Sequence, residues 1–213
     1  MLDFVPTSTV LAAYLVAVVV LTLTPGPDMT MFVGKAVSQS RAAGFAAFAG
    51  ASTGLVVHTL AVAIGLSALL AASATAFLVL KIVGAAYLVY LAWQALRHGS
   101  ALSVGGAARP EPIRAVYLKG LGVNLLNPKI IIFFVTFLPQ FVETNDPHAA
   151  GKLVFLGLTF VVVATPFSAA LIWFAGSIAS WLKRSPKATR AVDYLFAGVM
   201  GAFAVRLMLA QSK

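Results

Sequence analysis

The sequence predicts an all-α integral membrane protein with six transmembrane helices, and three observations lead to this class. Of the 213 residues, 61% are hydrophobic and only 10% are charged, whereas soluble domains are about half apolar and about a quarter charged. Six stretches have the length and apolar character of a transmembrane helix, which needs about 20 residues. Basic residues are concentrated on alternate connections between these stretches, which gives the spans one orientation.

The composition also argues against several classes of function. The net charge of +9 comes from only 15 basic residues, which are too sparse to build a nucleic-acid-binding face. The chain has no cysteine, so it has no disulfide, thiolate metal site or cysteine nucleophile. It also lacks the His-Glu-x-x-His pattern of metalloproteases and the phosphate-binding loop of ATPases. We therefore expect no enzymatic activity, no cofactor and no bound metal.

The six predicted spans divide into two groups of three. Residues 100–112 between the groups are rich in Gly, Pro, Ser and Ala and are predicted to be a flexible linker. The chain is thus expected to form one transporter domain, with repeat one at 1–99 and repeat two at 113–213. Because three is odd, the repeats have opposite orientations, as in many secondary transporters. The spans are residues 7–23, 43–69, 76–96, 116–141, 153–177 and 192–210.

The basic residues set the predicted orientation. Ten of the 15 lie after spans one, three and five, and this basic side is expected to be cytoplasmic. Both termini are then expected on the opposite side of the membrane. The ten residues are Lys35, Arg41, Arg97, Arg109, Arg114, Lys119, Lys183, Arg184, Lys187 and Arg190.

The first span of each repeat is interrupted by proline. Span one is interrupted at its end by the sequence TPGPD at 24–28, and span four is interrupted by NLLNPK at 124–129. Proline breaks a helix interior but suits the first position of a new helix, directly after a capping residue. Thr24 before Pro25 and Asn127 before Pro128 are expected to be these caps. Each break would leave a positive helix N-terminus suited to an anionic group, and paired broken spans mark a transporter site.

Each break is followed by a charged residue, Asp28 or Lys129. A charge near the bilayer centre costs about 2.5–3.5 kcal/mol on insertion scales, so it needs a partner or a cavity. Asp28 is the first candidate for a proton-coupling group, although it could instead cap the following helix. The candidate binding or coupling residues at the two breaks are Thr24, Pro25, Gly26, Pro27, Asp28, Asn124, Asn127, Pro128 and Lys129.

Two other polar residues within spans have competing interpretations. Lys81 in span three either contributes to the site or extends its ammonium to the membrane interface. His58 in span two either relays protons or packs as a hydrogen-bonded histidine. Ala46, Gly50 and Gly54 form a stripe of small residues on span two, which is typical of close helix packing. That packing would lie within one protomer or between two copies in a homo-oligomer.

The motifs resemble those of the LysE/RhtB family of bacterial amino-acid exporters. The similarity covers essentially the whole chain and includes TPGPD at 24–28, LKIVGAAYLVYLAWQALR at 80–97, and KGLGVNLLNPKIIIFF with LPQF within 119–141. It implies an exporter of amino acids or close derivatives, surrounded by lipid in the bacterial inner membrane and exchanging its substrate for protons. Both termini would then be periplasmic. The resemblance also adds weight to Lys81, and it adds Gln140 through the LPQF segment.

The alternative hypothesis is a transporter of another small solute or a metal cation in the same superfamily. A metal carrier needs soft or carboxylate ligands in its path. This chain has no cysteine, three histidines and six acidic residues, most of which are predicted to lie in loops. The composition therefore favours the amino-acid exporter.

Overall fold

The computed structural model describes residues 5–72, 74–98, 110–143 and 146–209. Within these residues the chain forms nine α-helices and no β-strand. Most of the predicted linker lies outside the described residues. The helices are α1 (Ser8–Leu23), α2 (Pro27–Ser38), α3 (Arg41–Ala72), α4 (Ala74–His98), α5 (Ile113–Leu125), α6 (Pro128–Ile132), α7 (Ala149–Trp173), α8 (Ala175–Arg184) and α9 (Pro186–Leu209).

Helices α1 and α2 form the first broken pair and meet at an angle of 50°. The break was predicted, but Thr24 was wrongly expected to cap the second helix. Thr24 instead ends α1, where its hydroxyl donates to Val20 O. The cap of α2 is Gly26, which is fully extended (φ −172°, ψ −179°) before Pro27. Because a residue before proline is kept out of the helical region, α2 cannot begin before Pro27.

Helices α5 and α6 form the second broken pair and meet at 48°. Here the predicted cap is confirmed, since Asn127 Oδ1 accepts a hydrogen bond of 3.0 Å from the Lys129 amide. Pro128 occupies the first position of α6. The helix then continues as a π-helical turn, Phe133–Phe137, and a 3-10 turn, Leu138–Phe141.

Several helices are long and apolar enough to cross a membrane. Among the described residues these are Arg41–Gly65 in α3, Ala149–Trp173 and Lys187–Val205 in α9. The number rises from three to five if each broken pair counts as one span. Helix α4 coincides with the predicted span at 76–96 but is not one of these five, so the count of six stays a prediction.

The helix pairing relates the two halves of the chain. The largest contact in the described structure joins α3 of the first half to α5 of the second, and α7 packs in turn on α1. If each helix is replaced by its counterpart in the other half, the α3–α5 pair becomes the α7–α1 pair. The α3–α7 and α4–α9 contacts join corresponding helices, so the same exchange leaves them in place. This pattern is compatible with two inverted repeats.

Glycines allow α3 and α5 to approach backbone to backbone. A Cβ atom added to Gly120 would lie 2.9 Å from Ala47 Cα and closer still to the Ala47 carbonyl. A Cβ atom on Gly50 would overlap the Tyr117 carbonyl in the same way. The small-residue stripe on span two therefore packs within one protomer.

Gly120→Ala should lower stability by about 1–3 kcal/mol, the usual cost of forcing an extra methyl group into a packed interface. Gly122→Ala is the matched control, because a Cβ atom there meets nothing within 4 Å. Alanine is a better helix former than glycine, so the control should be neutral or slightly stabilising. Thermal unfolding in detergent compares the two variants, and equal midpoints would contradict the close approach.

A buried hydrogen bond joins α1 to α7. The Tyr14 hydroxyl donates to Leu156 O at 2.7 Å, and both residues are fully buried. Around Tyr14 lies a cluster of aromatic rings, in which Phe141 meets it edge to face at 5.2 Å. The other rings of the cluster are Phe133, Phe134, Phe137, Phe160 and Phe203.

The chain enters its second half through an ionic anchor at Glu111. Its carboxylate lies 2.7 Å from Lys35 Nζ and 2.5 Å from Lys119 Nζ. The Gln39 side chain donates to the Glu111 carbonyl and accepts from its amide, at 2.7 and 3.1 Å. The hydrogen bonds from Lys119 and Lys35 lower the pKa of Glu111 to about 2. The segment before α5 is thereby tied to the end of α2.

Candidate functional site

Lys129, from the break between α5 and α6, places its ammonium group at the break between α1 and α2. Its side chain is 7% exposed, and its ammonium donates to Thr24 O at 2.8 Å and Leu21 O at 3.1 Å. These carbonyls lie at the C-terminal end of α1, where the usual helical donors run out and the helix dipole is negative. Leu21 O has one further donor, the Thr24 amide at 3.3 Å. Lys129 therefore satisfies the end of α1 from the other half of the chain.

Asp28 makes the reciprocal contact. It lies in the first turn of α2 and accepts a hydrogen bond of 2.8 Å on Oδ2 from Asn124 Nδ2, at the end of α5. Its other oxygen, Oδ1, is buried and has no hydrogen-bond partner among the described residues. The two breaks thus exchange side chains: the acid of the first reaches α5, and the lysine of the second reaches α1.

A partly open cavity of about 50 Å³ lies between the two breaks. One part of its wall is polar and contains Asp28, Asn124, Asn127, Lys129 and Thr24. The rest is mostly apolar. These apolar and small residues include Phe32, Phe48, Ala51, Leu55, Phe160 and Ala164.

The polar wall contains several buried atoms that lack a hydrogen-bond partner within the described structure. They are two acceptors, Asp28 Oδ1 and Asn124 Oδ1, one donor, Asn127 Nδ2, and the Thr22 hydroxyl. A buried polar group without a partner costs about 1–3 kcal/mol. Such a wall can receive a molecule that brings both a hydrogen-bond donor and an acceptor, as a zwitterion does.

The structure brings most of the predicted site residues together. Those that line the cavity are Thr24, Gly26, Asp28, Asn124, Asn127 and Lys129. Pro25, Pro27 and Pro128 shape the two breaks but do not line it.

The other predicted residues lie elsewhere. His58 packs behind the wall, with Nε2 3.3 Å from Asn124 O and its ring 5.8 Å from that of Phe134. Gln140 lies in the 3-10 turn and donates to Thr136 O at 2.9 Å, outside the cavity wall. Lys81 belongs to α4, but its side chain is outside the described part of the chain.

Sequence reasoning missed two hydroxyl residues of the cavity wall. Thr22 lies in the last turn of α1, directly before the break, and Ser168 is buried on α7 at 3% exposure. Ser168 follows Pro166, a proline inside α7. The sequence signal for Ser168 was a serine two residues after a proline in an apolar span, and this pattern does not show whether the hydroxyl is hydrogen-bonded. No group of three or more His, Cys, Asp or Glu side chains that could hold a metal occurs in the part of the chain that the structure describes.

Comparison with known proteins identifies the family. The family model described as "LysE type translocator" matches residues 19–211, which include both breaks and the whole cavity wall. The chain belongs to the LysE family. This membership agrees with the resemblance drawn from the motifs and makes the chain a membrane translocator rather than an enzyme.

Relatives of this LysE family protein include named efflux proteins. A homoserine/homoserine lactone efflux protein of Salmonella typhimurium is 33% identical over 184 residues, which cover 86% of this chain and 88% of the relative. A leucine efflux protein of Salmonella choleraesuis is 27% identical over 201 residues, covering 93% and 94%. An uncharacterized membrane protein of Pseudomonas aeruginosa is 31% identical over 208 residues, covering 92% and 94%. No solved structure matches the chain.

Proposed function

We propose that this protein exports an amino acid or a close derivative across the bacterial inner membrane in exchange for protons. The observation that carries the proposal is the exchange of Asp28 and Lys129 between the two breaks, around a cavity with unpaired polar atoms. The relatives named as a homoserine/homoserine lactone efflux protein and a leucine efflux protein support the substrate class.

The polar wall offers complementary groups to both ends of an amino-acid head group. Asp28 Oδ1 is an acceptor without a partner among the described residues, and it suits an ammonium group. Asn124 Oδ1 faces Gly54 of α3 instead. A lysine ammonium has three donors, and the Lys129 ammonium uses two of them on the carbonyls of Leu21 and Thr24. Its third donor and the N-terminus of α2 would bind the carboxylate.

Asp28 would also couple export to proton entry. A carboxylate in the membrane interior is stabilised by a cation or neutralised by a proton. The substrate ammonium and a proton would therefore compete for the same side chain. Release of the substrate to the periplasm would let Asp28 take up a proton, which it would lose to the cytoplasm when the next substrate binds.

The proposed topology has six spans, with α4 as the third, and two inverted repeats at 1–99 and 113–213 joined by the linker 100–112. The similar bends of the two broken pairs, 50° and 48°, and the exchange-related helix contacts support the repeats. The distribution of basic residues supports cytoplasmic loops after spans one, three and five and periplasmic termini.

Transport by purified protein in lipid vesicles tests the proposed function. Radiolabelled homoserine, threonine, leucine and lysine would be supplied with and without a pH gradient, and protein-free vesicles would be the control. We expect protein-dependent movement of at least one amino acid and faster movement when protons flow in the opposite direction. If none of the amino acids moves, the exporter proposal is wrong. If the pH gradient has no effect, only the proton coupling is wrong.

Single-cysteine labelling tests the orientation, because the chain has no native cysteine. Ala42→Cys lies exposed at the start of α3, on the predicted cytoplasmic side, and Ala150→Cys lies exposed at the start of α7, on the predicted periplasmic side. A membrane-impermeant maleimide added to intact cells should label Ala150→Cys strongly. Ala42→Cys should be labelled only after the membrane is opened. The reverse pattern would contradict the proposed topology.

A further inference from the structure

We propose that Ser168 binds the substrate side chain and selects amino acids that carry a neutral hydroxyl group. This inference rests on the proposed function and adds a specificity-determining residue to it. Ser168 lines the same cavity as Asp28 and Lys129 and is 97% buried, with 3% of its surface exposed. It lies on α7, whereas the head-group residues lie at the two breaks.

The Ser168 hydroxyl is unusual among the hydroxyls of α7. Thr159 and Thr165 on the same helix donate to the carbonyls four residues earlier, Phe155 O and Val161 O, both at 2.7 Å. This back-bonding is how hydroxyl side chains are commonly satisfied within an apolar helix. Ser168 makes no such bond to Ala164, and within the described residues its hydroxyl has no other partner. The hydroxyl of a buried serine that lies on a cavity wall and has no partner among the described residues is available to a ligand.

The position of Ser168 separates it from the head-group residues. On α7, Phe160, Ala164 and Ser168 follow one another at four-residue spacing and all line the cavity. Gly44 of α3 faces Ile172 of α7 and Gly157 of α7 faces Thr59 of α3, so the two helices run antiparallel and Ser168 lies at the level of Phe48. The Phe48 ring meets that of Phe32 at 5.8 Å, and Phe32 lies four residues after Asp28 on α2. Ser168 is therefore one helical turn, about 5.4 Å, from the level of Asp28. This spacing is on the scale of a short amino-acid side chain.

The rest of the wall restricts what Ser168 can bind. Phe32 and Phe48, whose rings meet at 5.8 Å, line that part of the cavity, so a charged substrate side chain there would lose its hydration without gaining an opposite charge. A hydroxyl can both donate and accept a hydrogen bond. Another hydroxyl on a short side chain is therefore the group that matches Ser168. The Thr22 hydroxyl, which is also buried without a partner among the described residues, adds a second group of the same kind.

The test compares homoserine with norvaline, in which a methyl group replaces the side-chain hydroxyl. Wild-type protein in vesicles should exchange homoserine about tenfold more efficiently than norvaline, the order of one hydrogen bond. Ser168→Ala should remove most of this preference, and Ser168→Thr, which keeps the hydroxyl, should retain it. Thr165→Ala is the matched control, because Thr165 is exposed on α7 and is not part of the cavity wall. It should leave the homoserine-to-norvaline ratio unchanged.

The outcomes separate this inference from the proposed function. A wild-type protein that exchanges both amino acids equally, or a Ser168→Ala variant that keeps the wild-type ratio, overturns the role of Ser168 and leaves the exporter intact. Equal loss of both activities in Ser168→Ala and Ser168→Thr also overturns it, because the residue would then be structural. If wild-type protein moves neither these two nor any other amino acid, both proposals fail together.

Discussion

Asp28→Asn is expected to lower amino-acid export about 10- to 100-fold in a protein that still folds. The asparagine oxygen can keep the hydrogen bond from Asn124, so the contact between the breaks is preserved. The other atom of the new side chain is an amide nitrogen, which presents a donor where the substrate ammonium needs an acceptor. Hydrogen bonds to charged groups contribute about 1.5–3 kcal/mol, which corresponds to the expected range of rates.

The measurement for Asp28→Asn is the initial rate of efflux from vesicles, with and without a pH gradient. Glu143→Gln is the matched control, since Glu143 is an exposed acid away from the cavity and should export at the wild-type rate. Asp28→Glu keeps the charge and should retain part of the activity. Wild-type, gradient-driven export by Asp28→Asn would remove Asp28 from both substrate binding and proton coupling.

Lys129→Met is expected to reduce both stability and export. Methionine has a similar length but no donor, so Thr24 O would lose the hydrogen bond that Lys129 gives it, and Leu21 O would keep only the bond of 3.3 Å from the Thr24 amide. Buried groups left without partners cost about 1–3 kcal/mol, and the negative charge of Asp28 would also lose its neighbouring cation. Export should fall below detection, because the carboxylate of the substrate would lose its positive partner.

Thermal unfolding in detergent measures the stability effect of Lys129→Met. Lys187→Met, at an exposed position near the start of α9, controls for the loss of a positive charge and should leave the midpoint unchanged. The double variant Asp28→Asn with Lys129→Met should be more stable than Lys129→Met alone, because removing both charges leaves no uncompensated one. An unchanged midpoint in Lys129→Met would show that the ammonium does not hold the end of α1.

The breaks in the first span of each repeat could be predicted from the sequence because proline acts locally. Asn127 was identified correctly as a cap, because the break contains a single proline, Pro128, at which the helix can start. Thr24 was assigned wrongly because two prolines lie in TPGPD, and Pro27 forces Gly26 out of the helical region. The start of α2 depends on Pro25 and Pro27 together, whereas a capping rule applied to Thr24 considers only Pro25.

The members of the candidate site could be predicted in part. Asp28 and Lys129 stand out because charges are costly in apolar spans, and the matching breaks place them near each other. Lys129 donates to carbonyls of α1 and not to groups of its own break. This contact depends on how the two halves pack, which the sequence motifs do not show. Ser168 escaped notice because a single serine in a helix is ordinary. Its distinguishing feature is a missing local hydrogen bond, which only coordinates reveal.

The attachment of Lys129 to α1 has a consequence for biosynthesis. Leu21 and Thr24 are synthesised more than 100 residues before Lys129, which donates to their carbonyls. Tyr14 is synthesised still longer before its hydrogen-bond acceptor, the carbonyl of Leu156. While the ribosome is still completing the first half, the end of α1 must find other donors, such as water or lipid head groups. The first helix therefore reaches its final state late, and insertion of the second half completes the first.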